Sequence, residues 1–138
     1  MEQEYAMSSV TQGIVDTLQT RQVALTCNLA QAAATYDAGT VSGGAVEIES
    51  VVVYVAAVGA TFTSVSVQTN NTTAVEILSA AEGAVANVTA DKNLKVFTTR
   101  TVIPSGKKIQ FTLVGSTGTG TLTLYVVYKP MVQGAVIA

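Results

Sequence analysis

Short segments of alternating hydrophobicity, separated by turn sequences, predict an all-β fold of the antiparallel β-sandwich type. Apolar and polar residues alternate with a period of two in most segments between residues 22 and 130. Turns rich in Gly, Asn, Ser and Pro recur between those segments, and no heptad or solenoid repeat is present. These segments give roughly eight strands, for which a jelly roll is one candidate topology.

A chain of 138 residues is long enough to bury the core of one domain without disulfides or metal. The predicted organisation is an N-terminal arm at residues 1–21, a β-sandwich domain at 22–130 and a C-terminal tail at 131–138. In the arm, Val10, Ile14 and Leu18 recur at a helical spacing, but Gly13 weakens a helix. We therefore expect the arm to be extended or partly helical.

The first half of the domain predicts three strands that form the core. The first strand covers residues 22–29, where alternation places Cys27 among the buried residues. A second, short strand at 35–41 ends at the turn sequence Ser42-Gly43-Gly44. The third strand, at 46–57, is apolar on both faces, which is typical of a strand in the middle of a sheet.

The following residues are less regular. Residues 61–69 alternate as a strand that ends at the turn pair Asn70-Asn71. Residues 75–78 fit either a strand or a single helical turn, and residues 80–83 favour neither. Residues 95–102 predict another strand.

The clearest stretch, IPSGKKIQFTLVGSTGTGTLTLYVVYKP from Ile103 to Pro130, predicts a tight turn followed by a β-hairpin. Pro104-Ser105-Gly106 has the residues that a tight turn requires. Alternating strands then flank the Gly-rich loop at 115–120, where Gly permits the positive φ angles of a sharp connection. We interpret Gly118-Thr119-Gly120 as part of that loop and not as a phosphate-binding motif.

The charge content is far below that of a typical soluble domain. Asp, Glu, Lys and Arg make up 12% of the residues, against roughly 25% on average. Hydrophobic residues make up 49%, and the mean hydropathy is +0.43. We expect part of this uncharged surface to be covered by copies of the chain or by another protein, in preference to a free monomer.

Several classes of function are disfavoured by residue content. The net charge of −2 argues against nucleic acid or an anionic membrane as a partner. The chain contains no His and has Cys27 as its single cysteine, so it has no Ser-His-Asp or Cys-His arrangement. We predict that it is not an enzyme and has no catalytic, cofactor-binding or metal-binding residue. The acidic N-terminus also disfavours a secretory signal peptide.

Two groups of charged residues have alternative interpretations. Glu47 and Glu49 share one face of a strand and could hold a cation or act as an acid–base pair, but a solvated or interface edge is favoured. Most acids lie in the first half of the chain. Five cations cluster late in the chain: Lys92, Lys95, Arg100, Lys107 and Lys108. This order predicts an electrically polarised molecule. The cations could form a docking patch, but protection of strand edges is favoured.

The Thr-, Gly-, Ala- and Val-rich composition, the ending VIPSGKKIQFTLVGSTGTGTLTLYVVYKP and the N-terminal lead-in resemble small virion proteins of tailed bacteriophages, in particular head decoration (cement) proteins. The resemblance covers residues 22–130 and carries over no functional residue. It implies an all-β, commonly trimeric protein that stabilises a capsid by binding the lattice of the major capsid protein. It also implies a terminal arm that reaches a neighbouring subunit, and a place on the capsid exterior after synthesis in the host cytoplasm.

The alternative function is a phage tail, neck or fibre component, or a β-sandwich module that recognises carbohydrate. Sugar sites present aromatic rings on an exposed face. The chain has no Trp, so the candidates are its tyrosines: Tyr5, Tyr36, Tyr54, Tyr125 and Tyr128.

Overall fold

The computed structural model describes residues 19–59 and 61–138 as β-strands joined by turns, with one turn of 3-10 helix at Val85–Asn87. The strands are β1 Arg21–Asn28, β2 Thr35–Ser42, β3 Val46–Gly59, β4 Phe62–Thr69, β5 Glu76–Leu78, β6 Lys92–Phe97, β7 Thr101–Ile103, β8 Lys108–Gly115, β9 Thr119–Pro130 and β10 Val136–Ile137. The predicted all-β fold is confirmed. None of the described residues forms a helix of the length and apolarity needed to cross a bilayer.

The strands form two five-stranded antiparallel sheets. Sheet one has the order β1-β9-β3-β6, with β7 also paired to β3, and sheet two has the order β10-β2-β8-β4-β5. The pairs are nested: β1 with β9, β2 with β8, β3 with β6 and β7, and β4 with β5. Nested pairing results when one long two-stranded ribbon folds over on itself, and this order is that of a jelly roll.

The core lies between the two sheets and is built from one side chain in two along each strand. Sheet one contributes Leu25, Cys27, Val51, Val53, Val55, Leu122, Leu124 and Val126, and sheet two contributes Val41, Val65, Val67, Ile109, Phe111 and Leu113. Cys27 is fully buried, as predicted, and burial raises the pKa of its thiol to about 12. A thiol with such a pKa stays protonated and behaves as a small apolar side chain.

The predicted hairpin between residues 109 and 128 is wrong, because its two strands belong to different sheets. β8 pairs with β2 and β4 in sheet two, and β9 pairs with β1 and β3 in sheet one. The Gly-rich loop therefore crosses from one sheet to the other. Alternation shows only that each strand buries one of its faces. Two strands in opposite sheets of a sandwich each bury one face, just as the two strands of a hairpin do, so alternation does not distinguish the two arrangements.

The predicted strand at residues 95–102 is two strands, β6 and β7, which pair with successive parts of β3. The interruption lies at residues 98–100, opposite the part of β3 where its register with β9 on the other side shifts between Ile48 and Ser50. The Thr101 hydroxyl donates to the Thr99 carbonyl across this break at 3.0 Å. A β-bulge bends a strand and interrupts its ladder, which explains why one sequence segment forms two short strands.

Sheet two contains two strands that the sequence did not assign, one in residues 75–78, whose conformation was left open, and one in the predicted tail at residues 131–138. Residues 76–78 form β5, an edge strand next to β4, and the ambiguous residues 80–83 form a turn. Residues 131–138, predicted as a tail, carry β10, which pairs with β2. Ala135 and Ile137 of this segment are buried against the core.

The turn after β5 is closed by reciprocal hydrogen bonds between Ser79 and Glu82. The Ser79 amide donates to the Glu82 carboxylate at 3.0 Å, and the Glu82 amide donates to the Ser79 hydroxyl at 3.1 Å. Lys95 of β6 adds an ion pair to the same carboxylate at 2.8 Å. The hydrogen bond from Lys95, followed by that from the Ser79 amide, lowers the pKa of Glu82 to about 2.

We expect Glu82→Gln to destabilise the protein at pH 7 and to have little effect near pH 2. The pKa of Glu82 falls from its ordinary value of 4.5 to about 2 on folding, so its contribution is present above pH 4.5 and is lost as the pH falls towards 2. The Glu82 side chain is 40% exposed, so solvent screening limits the contribution to about 1 kcal/mol at most. Urea denaturation at several pH values measures it.

Glu76→Gln is the matched control, because Glu76 is exposed on the neighbouring strand β5 and forms no ion pair among the described residues. Its effect on stability should be small at pH 7. An effect of Glu82→Gln that is the same at pH 7 and pH 2.5 would contradict the assignment of the ion pair with Lys95.

Candidate interaction surface

The outer face of sheet one presents rows of side chains that cross β1, β9, β3 and β6. The central row consists of Ala24, Tyr125, Val52 and Val96, each opposite the next in the ladder. The flanking rows consist of Thr26, Thr123, Tyr54 and Asn93 on one side, and of Gln22, Val127 and Ser50 on the other. None of these residues carries a charge. We call this set the uncharged face.

Large apolar side chains are exposed at the centre of the uncharged face. Val96 is 55% exposed and Tyr125 is 38% exposed. The rings of Tyr125 and Tyr54 lie with their centroids 6.3 Å apart and their planes tilted by 55°, a separation typical of interacting aromatic pairs. Two neighbouring rings that fix one another provide a preorganised apolar contact area in the middle of the face.

Tyr54 is held in place from the other side by Asp91. The Tyr54 hydroxyl donates to the Asp91 carboxylate at 3.1 Å, and this hydrogen bond raises the pKa of Tyr54. The Asp91 amide in turn donates to the Val55 carbonyl at 2.9 Å, so the turn before β6 is attached to β3. The orientation of the ring is therefore set by the sheet itself.

A cluster of charges borders the uncharged face at one end of sheet one, and we call it the charged rim: Glu47, Glu49, Arg100 and Lys129. The Arg100 guanidinium lies 2.8 Å from the Glu47 carboxylate and 3.7 Å from that of Glu49. Lys129 lies 3.7 Å from Glu49. Glu47 and Glu49 are two residues apart on β3, so the two carboxylates share one face, as the sequence indicated. The bulge after Ile48 shifts the alternation only from Ser50 onward.

The charged rim compensates its own carboxylates with two cations, which disfavours the alternative of a bound cation. Among residues 19–59 and 61–138, no group of three or more His, Cys, Asp or Glu side chains is close enough to hold a metal ion. The arrangement is that of a polar border whose charges are already paired.

The outer face of sheet two is polar and contrasts with that of sheet one. Asp37 accepts a hydrogen bond from Gln110 at 2.9 Å and pairs with Lys108 at 2.6 Å. These hydrogen bonds, first that of Gln110 and then that of Lys108, lower the pKa of Asp37. Thr35 and Thr112 share a hydrogen bond at 2.8 Å beside them. Sheet two therefore has a charged pair on its outer face, whereas the charges of the outer face of sheet one lie at one end, in the charged rim.

Among the described residues, the fold brings cations of the second half to acids of the first half, which argues against the predicted electrical polarisation. The pairs Arg100–Glu47 and Lys108–Asp37 each join the two halves, across 53 and 71 residues of sequence. Separation of charge along the chain is thus not separation in space. Sheet pairing between distant strands determines which charges meet.

The structure separates the tyrosines that the carbohydrate hypothesis grouped. Tyr54 and Tyr125 meet on the uncharged face. Tyr36 packs against the core, and Tyr128 is buried and accepts a hydrogen bond from the Ile137 amide at 3.4 Å. Tyr5 lies outside the described residues.

Sequence reasoning did not assign the residues of the uncharged face. The signal available was a set of apolar residues at outward positions of otherwise alternating strands, such as Val52, Val96 and Val127. A strand with apolar residues on both faces fits two interpretations: one face is open to a partner, or both faces are covered by the strand's own domain. The sheet order was needed to show that one of those faces is open.

No family model matches this chain, and no curated protein matches it. One solved structure that resembles it is described as the structure of infectious bursal disease virus Gx strain, with 13% sequence identity and a TM-score of 0.23. The likeness covers 88% of this chain and 39% of that protein, so the chain spans well under half of its length. Identity and TM-score are both too low for this likeness to support a fold or a function.

Proposed function

We propose that this chain is a structural protein of a virion that decorates and stabilises a bacteriophage capsid, and that it binds the major capsid protein lattice through the uncharged face. The observation that carries the proposal is the concentration of uncharged and aromatic side chains on the outer face of sheet one. The resemblance of the sequence to head decoration proteins supplies the identity of the partner.

The physical argument concerns what desolvation costs at an interface. Burying a charge that finds no partner costs far more than burying Thr, Ala or Val. The centres of protein interfaces are accordingly depleted in charge and enriched in aromatic residues, with a polar rim. Tyr125 and Tyr54 occupy the centre of the uncharged face, and the charged rim borders it.

The jelly-roll fold is compatible with this function, but the fold alone does not distinguish this function from others. Jelly rolls occur in viral capsid domains and also in lectins, and a fold hosts many functions. The uncharged rows at the centre of the outer face of sheet one are the feature that favours a broad protein contact. In this proposal the chain also associates with copies of itself. The resemblance implies a trimer, and a two-fold dimer is the competing arrangement.

We expect the purified chain to co-sediment with expanded, undecorated shells of the major capsid protein from its phage, and Tyr125→Lys to weaken this binding about tenfold or more. A Lys at position 125 would place an unpaired charge in the middle of the contact. Sedimentation at increasing concentrations of the chain gives the affinity, and thermal disruption of the shells with and without the chain measures stabilisation.

Gln68→Lys is the matched control, because Gln68 is exposed on β4 in the polar sheet two. It adds the same charge to the opposite side of the sandwich and should leave binding unchanged. Equal loss of binding for both variants would show that the uncharged face is not the docking surface. Failure of the unmodified chain to bind shells, together with binding to a glycan array that Tyr125→Lys abolishes, would instead support the carbohydrate-recognition alternative.

A further inference from the structure

The outer edge of sheet one at β1 is the longest free strand edge in the described part of the chain. β1 spans eight residues, Arg21–Asn28, and pairs with β9 in an unbroken register. No second strand among the described residues pairs with β1. A long, regular edge strand with open hydrogen-bonding groups is a template for another strand.

The backbone groups that are open on β1 follow from its ladder with β9. The Leu29 amide donates to the Gly120 carbonyl at 2.9 Å, which continues that ladder by one residue. Hydrogen-bonded pairs recur at every second residue of an antiparallel pair, so odd-numbered residues of β1 bond to β9. The backbone groups of Gln22, Ala24 and Thr26 consequently point away from the sheet, and their side chains are exposed on its outer face.

The other edges of the two sheets carry features that prevent pairing. β5 and β7 have three residues each, and β10 has two. β6 carries Lys92 and Lys95 and faces a register shift in β3. Short strands, Lys side chains and bulges are the usual protection against edge-to-edge contact. β1 has none of these, and its one charge, Arg21, stands at its first position.

We infer that a second copy of this chain pairs with β1, antiparallel and about a two-fold axis, so that sheet one continues across both molecules. In the register centred on Ala24, which pairs all three open residues, Ala24 lies opposite the Ala24 of the second copy, and Gln22 lies opposite its Thr26. The paired residues point to the same face, so the core side chains stay on the inner side. No charged side chain then faces a like charge.

The second copy is favoured over an unrelated strand because β1 is complementary to itself. Its open residues are uncharged and include the small Ala24 and the β-branched Thr26, which suit a pleated pair. The same residues form one margin of the uncharged face, so pairing joins the uncharged faces of two molecules into one continuous surface. The inference does not depend on capsid binding, because it follows from the open backbone groups of β1.

Analytical ultracentrifugation of the full chain tests this pairing, with Ala24→Pro and Ala24→Val as matched variants. Proline at position 24 removes an outward amide and no bond to β9, which is the position at which an edge strand tolerates it. Valine keeps the amide. We expect a dimer for the unmodified chain and for Ala24→Val, and a dissociation constant at least tenfold higher for Ala24→Pro.

Hydrogen exchange of the unmodified chain keeps the test decisive if Ala24→Pro does not fold. We expect the amides of Gln22, Ala24 and Thr26 to become protected as the concentration rises through the dimerisation range. Protection that is independent of concentration in a monomer would mean that a segment of the same chain covers β1 and would overturn the inference. A trimer with unprotected β1 amides, or a dimer that Ala24→Pro leaves intact, would overturn it as well.

Discussion

Replacing Leu124 by Ala should lower the free energy of unfolding by about 3–5 kcal/mol. Leu124 is fully buried in β9, the strand that pairs with both β1 and β3, and it lies opposite Leu25 and Val53. Because β9 is held by ladders on both sides, its backbone cannot move inward to fill the space that the smaller side chain leaves. Urea denaturation followed by circular dichroism measures the loss.

Thr123→Ala is the control, one residue away on the opposite face of the same strand. Thr123 belongs to the uncharged face, and its truncation removes no core contact, so the change in stability should stay within about 0.5 kcal/mol. Similar costs for Leu124→Ala and Thr123→Ala would mean that the two faces of β9 have been assigned wrongly. The uncharged face would then not be an outer surface.

The sequence predicted the fold class and most strand positions because each strand has one face that must be buried. Alternation around Cys27 identified β1 and the inward orientation of that side chain. It did not identify the partner of each strand. The residues on either side of the loop at 115–120 show the same alternation in a hairpin and in a connection between sheets, and the structure has the connection.

The sequence predicted that an uncharged interaction surface exists, but it did not predict which residues form that surface. The low charge content indicated that some surface is covered, but composition does not show on which face of the fold the uncharged residues lie. Of the five late cations, Arg100 meets Glu47 and Glu49 in the charged rim because β7, which begins one residue after Arg100, pairs with β3. Contacts between strands distant in sequence are what a single sequence does not contain.

Replacing Gly83 by Ala should destabilise the protein by about 3 kcal/mol or more, although only a methyl group is added. Gly83 is buried in the turn after β5, where a Cβ atom would overlap the backbone oxygen of Val65 and lie 3.2 Å from Leu78 Cδ2. The clash cannot be relieved easily. The Gly83 carbonyl accepts a hydrogen bond from the Val65 amide at 2.9 Å, and the Gly83 amide donates to the Ser79 carbonyl at 2.9 Å.

Gly106→Ala separates this steric cost from the general cost of replacing glycine in a turn. Gly106 has a φ of +86°, and a Cβ there would meet nothing within 4 Å, so we expect a loss of about 1–2 kcal/mol from backbone strain alone. Thermal or urea unfolding of both variants gives the comparison. A smaller loss for Gly83→Ala than for Gly106→Ala would mean that the turn after β5 moves freely from β4. Its attachment to the sandwich would then rest on the Glu82–Lys95 ion pair and not on backbone contact.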